Sequence, residues 1–119
     1  MRSILLVEDE QVTAMEIQAM LRELNYDVVD AVSRSEQVYT SVEEHEPDLI
    51  IMDIRLQGEE DGIEVVTNLQ KTHEIPVIYL TAHSDQETLD RARVTQPCGY
   101  LIKPVTQEDL KSSIEMAVS

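Results

Sequence analysis

Short apolar runs alternate with helical patterns along the whole chain. Residues 4–7 and 49–52 are continuous apolar runs, which is typical of parallel strands that are buried on both faces. Pro76 precedes a further run of this kind, and residues 28–32 are mostly small or β-branched. These signals predict five strands, at residues 4–7, 26–32, 49–52, 77–80 and 99–102.

Apolar residues recur at helical spacing between those strands. The first apolar stripe follows Asp9 and ends near Asn25. We interpret Met15, Met20 and Met116 as residues of the core. Five helices are predicted, one after each strand. They cover about residues 12–25, 35–44, 63–71, 85–96 and 106–118.

Residues that suit helix N-termini precede several of these stripes. Ser33 or Ser35 is the expected cap of the second helix, and Ser84 or Asp85 starts the fourth. Thr106, with the three residues after it, offers a capping arrangement for the fifth helix.

Five strands that alternate with five helices imply an α/β fold, with a parallel sheet covered by helices on both faces. The 119 residues suit a single domain, residues 1–119, without an evident linker, repeat or low-complexity segment. Ligands of such sheets bind beyond the carboxyl ends of the strands, so the functional residues are expected in those loops.

Charge and cysteine content narrow the class of protein. Nine basic and twenty-four acidic residues give a net charge of −15, which repels nucleic acid and anionic lipid, so direct DNA binding is not expected. The single cysteine, Cys98, excludes an internal disulfide. The apolar runs are too short for a signal peptide or a membrane span, which predicts a soluble cytoplasmic protein.

Chemically active side chains directly follow four of the predicted strands. They are Glu8 and Asp9 after the first, Asp53 after the third, Thr81 after the fourth and Lys103 after the fifth. A lone carboxylate at such a position is usually a helix cap or a loop residue. Five complementary groups at one edge of one sheet favour a functional site.

The chemistry of this set points to phosphate. Two carboxylates about 5 Å apart repel by about 3 kcal/mol at an effective dielectric constant near 20, and protonation or a bound cation relieves this. Mg²⁺ prefers such oxygen ligands and often bridges carboxylates to phosphate. Lys103 and Thr81 offer a positive charge and a hydrogen-bond donor to a phosphoryl oxygen. A glycine-rich nucleotide cradle is missing, which favours a small phosphoryl group over a nucleotide.

Four segments together resemble the receiver family of response regulators, and the likeness extends over about residues 3–118. They are Val7-Glu8-Asp9-Glu10, Leu49-Ile50-Ile51-Met52-Asp53-Ile54, Leu80-Thr81-Ala82 and Gly99-Tyr100-Leu101-Ile102-Lys103-Pro104. The resemblance implies a (βα)₅ flavodoxin-like, doubly wound sheet with strand order 2-1-3-4-5. It also implies a cis Lys103-Pro104 peptide bond.

The resemblance assigns a role to each residue of the site. Asp53 would take a phosphoryl group from the phosphohistidine of a histidine kinase or phosphotransfer protein. Asp9 and Asp53 would bind Mg²⁺ directly, Glu8 mainly through water, and Arg55 through its backbone carbonyl. Lys103 would pair with Asp53 and later with the phosphoryl group.

The same resemblance implies a conformational switch. Thr81 would move toward the phosphoryl oxygen and Tyr100 would turn inward behind it. This would reshape the face formed by the fourth helix, fifth strand and fifth helix, at residues 85–118. In the family that face also serves in dimerisation, which is one option for this chain.

Some positions depart from the common pattern or vary within it. Glu8 stands where many members have a second Asp, which preserves the acid pocket. The loop of residues 55–62 is acidic and slightly long; altered kinase docking and a plain solvated loop both fit. Arg55 and His83 occupy two positions that tune phosphoryl lifetime in the family, and we expect both to hinder attacking water; an exposed loop histidine is the alternative for His83.

Three other functions fit these residues less well than a receiver does. An Asp-nucleophile phosphohydrolase usually needs a second carboxylate two residues after the nucleophile, where this chain has Arg55. A flavin carrier would have its phosphate repelled by the acidic strand ends, and a receiver-like module that takes no phosphate would not need the full set. A signalling switch without turnover is therefore expected. The chain ends after the fifth helix, which fits both a stand-alone regulator and a fragment. The sequence does not identify the kinase, the stimulus or the output partner.

Overall fold

The computed structural model describes residues 2–82 and 86–118, in which five strands and five helices alternate. All ten predicted elements are present, with boundaries that differ by a few residues. The strands are β1 Ser3–Val7, β2 Asp27–Val32, β3 Leu49–Asp53, β4 Val77–Thr81 and β5 Gly99–Ile102. The helices are α1 Gln11–Glu23, α2 Ser35–His45, α3 Gly62–Leu69, α4 Gln86–Val94 and α5 Gln107–Val118. None of these helices combines the length and apolar composition that a bilayer span requires.

The five strands form one parallel sheet in the order β2-β1-β3-β4-β5. This is the order that the sequence resemblance implied. In the centre of the sheet, Leu6 pairs with Ile51 and Ile51 pairs with Ile78. Parallel pairing brings the carboxyl ends of all strands to one edge, and the strand-end residues lie there.

Helices cover both faces of the sheet, and this explains why the central strands are apolar without interruption. On one face, Ile50 and Met52 pack in a buried cluster with Val38 and Val42 of α2 and with residues of α3. On the other face, strand residues of the opposite parity pack against α1 and α5. Residues of this second cluster include Ile4, Leu6, Leu49, Ile51, Ile17, Leu21, Leu110 and Ile114.

The start of α2 corrects one prediction, because neither Ser33 nor Ser35 is its N-cap. Arg34 occupies that position with extended backbone, and Ser35 is already the first helical residue. The side-chain oxygen of Gln37 accepts the backbone N–H groups of Ser33 at 3.0 Å and of Arg34 at 3.1 Å. Gln37, the third helical residue, thus accepts the N–H of the N-cap and of the residue before it.

The fifth helix begins as predicted, since the backbone N–H of Asp109 donates to Thr106 Oγ1 at 3.1 Å. At the end of α1, Asn25 has a φ of 66°, and the N–H of Tyr26 donates to Leu21 O at 3.0 Å. This is a Schellman motif with asparagine in the left-handed position. The predicted start of α4 at Ser84 or Asp85 lies outside the described residues.

The prediction for the methionines is wrong at two positions. Met20 packs against the core, but Met15 is 62% and Met116 is 77% exposed. Helical spacing places Met15 beside the stripe of α1, yet the sheet covers only the part that contains Ile17 and Leu21.

Candidate functional site

The ends of four strands bring the predicted site residues together at one edge of the sheet. Asp53 is the last residue of β3 and Thr81 the last of β4, while Glu8 directly follows β1 and Lys103 directly follows β5. Three of these are nearly inaccessible to solvent, with exposed fractions of 2% for Glu8, 3% for Asp53 and 8% for Thr81. Buried polar side chains at a sheet edge need partners, and Glu8 and Asp53 both have one in the ammonium group of Lys103.

Three carboxylates form the acidic part of the site. Glu8, Asp9 and Asp53 each offer an oxygen atom, and these atoms lie within 4.8 Å of one another. Like charges at this distance repel strongly away from bulk water. The group could hold a divalent cation, because carboxylate oxygens are hard ligands.

Lys103 is the cation of the site. Its Nζ lies 2.6 Å from Glu8 Oε1 and 3.5 Å from Asp53 Oδ2. Burial of the ammonium group opposes its charge, but the nearby carboxylates of Glu8 and Asp53 outweigh this and raise the pKa of Lys103. Within residues 2–82 and 86–118, Glu8 Oε1 has no hydrogen-bond partner besides this ion-pair contact.

The electrostatics of Asp53 follow from its surroundings. Burial, together with the carboxylate of Glu8, raises the pKa of Asp53 from 3.8 to about 8, although Lys103 acts in the opposite direction. One ammonium group therefore does not neutralise the cluster. The site carries more negative charge than its own residues compensate.

Backbone geometry holds Asp53 in place. Its Oδ1 accepts the N–H of Arg55 at 3.1 Å, while the Arg55 side chain is exposed. Gly62 begins α3 against the end of β3, and a Cβ atom there would lie 2.1 Å from the carbonyl oxygen of Asp53. The need for glycine at this close approach was not predicted from the sequence.

Two residues with predicted switch roles lie next to this cluster. Thr81 ends β4, and its carbonyl oxygen accepts the N–H of Lys103 at 2.9 Å. Tyr100 is 37% exposed, and its ring stacks against Tyr79 with centroids 6.1 Å apart. The cis peptide bond between Lys103 and Pro104 is confirmed. His83, the second residue expected to tune phosphoryl lifetime, lies outside the described residues.

Comparison with known sequences decides the family. The sequence model of the response regulator receiver domain matches residues 4–115. The chain belongs to this family. Receiver domains of response regulators are signalling domains of two-component systems.

Individual relatives of this receiver domain support the family assignment. The transcriptional regulatory protein PdtaR of Mycobacterium tuberculosis is 36% identical over 118 residues, which are 99% of this chain and 57% of that protein. The phyllosphere-induced regulator PhyR of Methylorubrum extorquens is 32% identical over 116 residues, or 97% of this chain and 43% of that protein. The chain thus spans about half the length of these curated relatives.

Solved structures show the same fold. The signal receiver domain of a modulated diguanylate cyclase from Desulfovibrio desulfuricans superimposes with a TM-score of 0.93 at 36% identity. The alignment covers 99% of this chain and 94% of that one. The receiver assignment therefore rests on sequence and on architecture.

The acidic loop of this receiver domain, residues 54–61, is anchored to its neighbours. The carboxylate of Glu60 accepts the hydroxyl of Tyr39 at 2.6 Å and the side-chain amide of Asn68. The N–H of Ser35 donates to Gln57 O at 3.0 Å. The loop therefore contacts α2 and the residues of α3, while altered kinase docking and a plain solvated loop both stay open as predictions.

Proposed function

We propose that this receiver domain accepts a phosphoryl group on Asp53 from a phosphohistidine of a histidine kinase or phosphotransfer protein. The observation that carries the proposal is the position of Asp53, which is buried at the end of β3 between the Glu8 and Asp9 carboxylates and the Lys103 ammonium. A carboxylate oxygen, a cation and a cluster of metal-binding oxygens are the parts that phosphoryl transfer needs.

The acidic cluster fits Mg²⁺. Glu8 Oε1 is buried, with Lys103 as its contact among the described residues, and burial together with the Glu8 carboxylate raises the pKa of Asp53. Asp9 and Asp53 would hold the ion directly, Glu8 mainly through water, and Arg55 through its backbone carbonyl. When bound, Mg²⁺ supplies positive charge that stabilises the phosphoryl oxygens.

The residues of the chain orient and activate the acceptor. The N–H of Arg55 holds Asp53 Oδ1, and Lys103 favours the ionised form of the carboxylate that must attack. As the Asp53 oxygen forms its bond to phosphorus, the bond from phosphorus to the donor imidazole breaks in line, and the imidazole recovers a proton from solvent. Lys103 then pairs with the phosphoryl oxygens.

The output of the reaction is a change in the conformation of one protein surface. Thr81 would donate its hydroxyl to the phosphoryl group and Tyr100 would turn inward, which biases the face formed by α4, β5 and α5. The exposed Tyr100, Ile102 and Met116 support this face as the one that contacts an output partner or a second copy of the chain. We further propose a cytoplasmic location and no direct contact with nucleic acid or membrane.

The proposal is tested by incubation with acetyl phosphate and Mg²⁺, followed by intact-mass measurement. We expect the wild type to gain the mass of one phosphoryl group, and we expect neither Asp53→Asn nor wild type in excess EDTA to gain it. The exposed Asp109→Asn serves as the matched control and should be phosphorylated like the wild type. A mass gain that persists in Asp53→Asn would contradict the site assignment.

Arg55 offers a second test, because its exposed side chain follows the acceptor by two residues. We propose that Arg55 hinders the approach of hydrolytic water, as we also propose for His83. Arg55→Ala should therefore lose its phosphoryl group severalfold faster, about threefold or more, because a positioned group of this kind changes a rate by a modest factor. Dephosphorylation is followed by intact mass after removal of acetyl phosphate, and an unchanged half-life would exclude the role.

A phosphohydrolase is the competing function from another class. Its acid-base carboxylate is expected where this chain has Arg55, and the family assignment favours a signalling domain. An assay with a small phosphomonoester separates the two functions, since a receiver should release negligible phosphate. Sustained release that depends on Asp53 would favour the hydrolase.

A further inference from the structure

Tyr79 belongs to a buried polar network that is centred on Thr95 and joins β4 to the end of α4. The residue is fully buried, and its hydroxyl oxygen lies 2.7 Å from Thr95 Oγ1. The Thr95 hydroxyl also donates to Ala92 O at 2.7 Å, and the side-chain amide of Gln70 donates to Thr95 O at 2.6 Å. Three elements, β4, α3 and α4, therefore meet at Thr95.

The direction of the central hydrogen bond follows from counting protons. A threonine hydroxyl has one proton, and Ala92 O can only accept, so the Thr95 proton is used there. Tyr79 must then be the donor to Thr95 Oγ1. Burial raises the pKa of Tyr79 to about 12, so this donor keeps its proton at any physiological pH.

The rest of α4 has little apolar attachment to the body of the protein. Of the nine residues of Gln86–Val94, Ala92 alone is buried. A second tie joins Arg91 to Asp61 at 3.0 Å, but both side chains are substantially exposed, and such pairs contribute little. The Tyr79-Thr95 hydrogen bond, by contrast, is buried and ties the carboxyl end of this helix to β4.

The position of the anchor matters as much as its strength. Because α4 leads from the carboxyl end of β4 back to the start of β5, Thr95 lies at the end of α4 that is remote from Asp53. The opposite end of α4 begins near Thr81. A change at the start of α4 would then turn this mostly exposed helix about its remote end.

The same tyrosine also contacts the switch residue. Tyr79 pairs with Tyr100 across the two strands, and the two rings stack with an interplanar angle of 26°. Beside them lies a cavity of about 240 Å³, lined by Thr81, Leu89, Arg93, Tyr100 and Ile102. The Tyr100 ring thus lies between the ring of Tyr79 and a cavity that α4 residues Leu89 and Arg93 help to line.

We infer that Tyr79 is a positioning residue of the switch, whose hydroxyl fixes the pivot of α4 through Thr95 while its ring supports Tyr100. The inference rests on the proposed phosphoacceptor function and adds a residue to its output. Tyr79→Phe keeps the ring and removes the hydroxyl, so it should release the pivot without removing the support of Tyr100.

The first arm of the test uses the resting protein without ligand. Amide hydrogen exchange in α4 should rise about tenfold in Tyr79→Phe and in Thr95→Val, which corresponds to one net hydrogen bond. The double variant should be no faster than Thr95→Val alone, because both changes break the same contact. Tyr26→Phe, a partly exposed tyrosine on the other face of the sheet, is the matched control and should exchange as the wild type does.

The second arm adds beryllium trifluoride and Mg²⁺, an analogue of the acyl phosphate, to protein with ¹³C-labelled tyrosine rings. In the wild type, the Tyr100 resonance and the α4 amides should shift together; in Tyr79→Phe, Tyr100 should still respond while the α4 shifts shrink by about half or more. A variant in which α4 exchanges and shifts as in the wild type would overturn the inference alone. A wild type that does not respond at all would overturn the phosphoacceptor function and this inference with it.

Discussion

Lys103→Met should lower the free energy of unfolding by about 3 kcal/mol at pH 8 without divalent cations. The substitution leaves the buried carboxylate charges without their positive partner. The ammonium of Lys103 lies 2.6 Å from a Glu8 oxygen and 3.5 Å from Asp53, both of which are buried. Methionine keeps most of the aliphatic stem, so the loss reports the charge rather than the packing. Urea denaturation followed by circular dichroism measures the change.

A double-mutant cycle separates this electrostatic loss from a general packing defect. Glu8→Gln removes one of the two buried carboxylate charges that Lys103→Met leaves unpaired. The double variant Glu8→Gln/Lys103→Met should therefore be more stable than Lys103→Met alone. Lys111→Met, at an exposed position of α5, is the matched control and should change stability by less than about 0.5 kcal/mol. Strictly additive effects at Glu8 and Lys103 would contradict the coupling.

Asp53→Asn should be more stable than the wild type by about 2 kcal/mol or more at pH 8 in EDTA, because ionisation of Asp53 opposes folding. The pKa of Asp53 is about 8 in the folded protein, against an ordinary value of 3.8. Between pH 3.8 and pH 8 the folded protein keeps a proton on Asp53 that the unfolded chain has lost. The contribution of this proton to the free energy of unfolding is therefore full below pH 3.8 and is lost as the pH rises through 8. Asparagine has no such proton to lose.

The measurement is the difference in unfolding free energy between Asp53→Asn and the wild type from pH 4 to pH 9, which should grow with pH. Asp48→Asn is the control of opposite sign. Hydrogen bonds from the backbone N–H and the hydroxyl of Ser3 lower the pKa of Asp48, so its contribution is present above the ordinary pKa and is lost in acid. A difference for Asp53→Asn that is flat across this range would refute the raised pKa.

Much of the fold could be predicted because a strand that is buried on both faces has apolar residues at nearly every position. Strands β1, β3 and β4 are apolar at nearly every position, and the helices between them have apolar stripes. The exposure of Met15 and Met116 could not be predicted in this way. Helical spacing reports which residues share a face, but it does not report how much of that face another element covers.

The composition of the candidate site was also predictable, since every member ends a strand or follows one within two residues. Its neighbours were not, because they come from elements distant in sequence. Thr95 has no sequence signal that links it to Tyr79, and the contact exists only because α4 returns across β4. Gln37 accepts the N–H groups of Ser33 and Arg34 at the start of α2 through a side chain whose reach depends on the backbone around it.

The anchored loop of residues 54–61 has a consequence for recognition. Glu60 is held by Tyr39 and Asn68, and Gln57 pairs with the start of α2. A partner that docks beside Asp53 therefore meets a preorganised acidic rim, and little conformational entropy remains to be lost there on binding. Variation of the exposed acidic residues on this rim would then change the rate of encounter more than the lifetime of the complex.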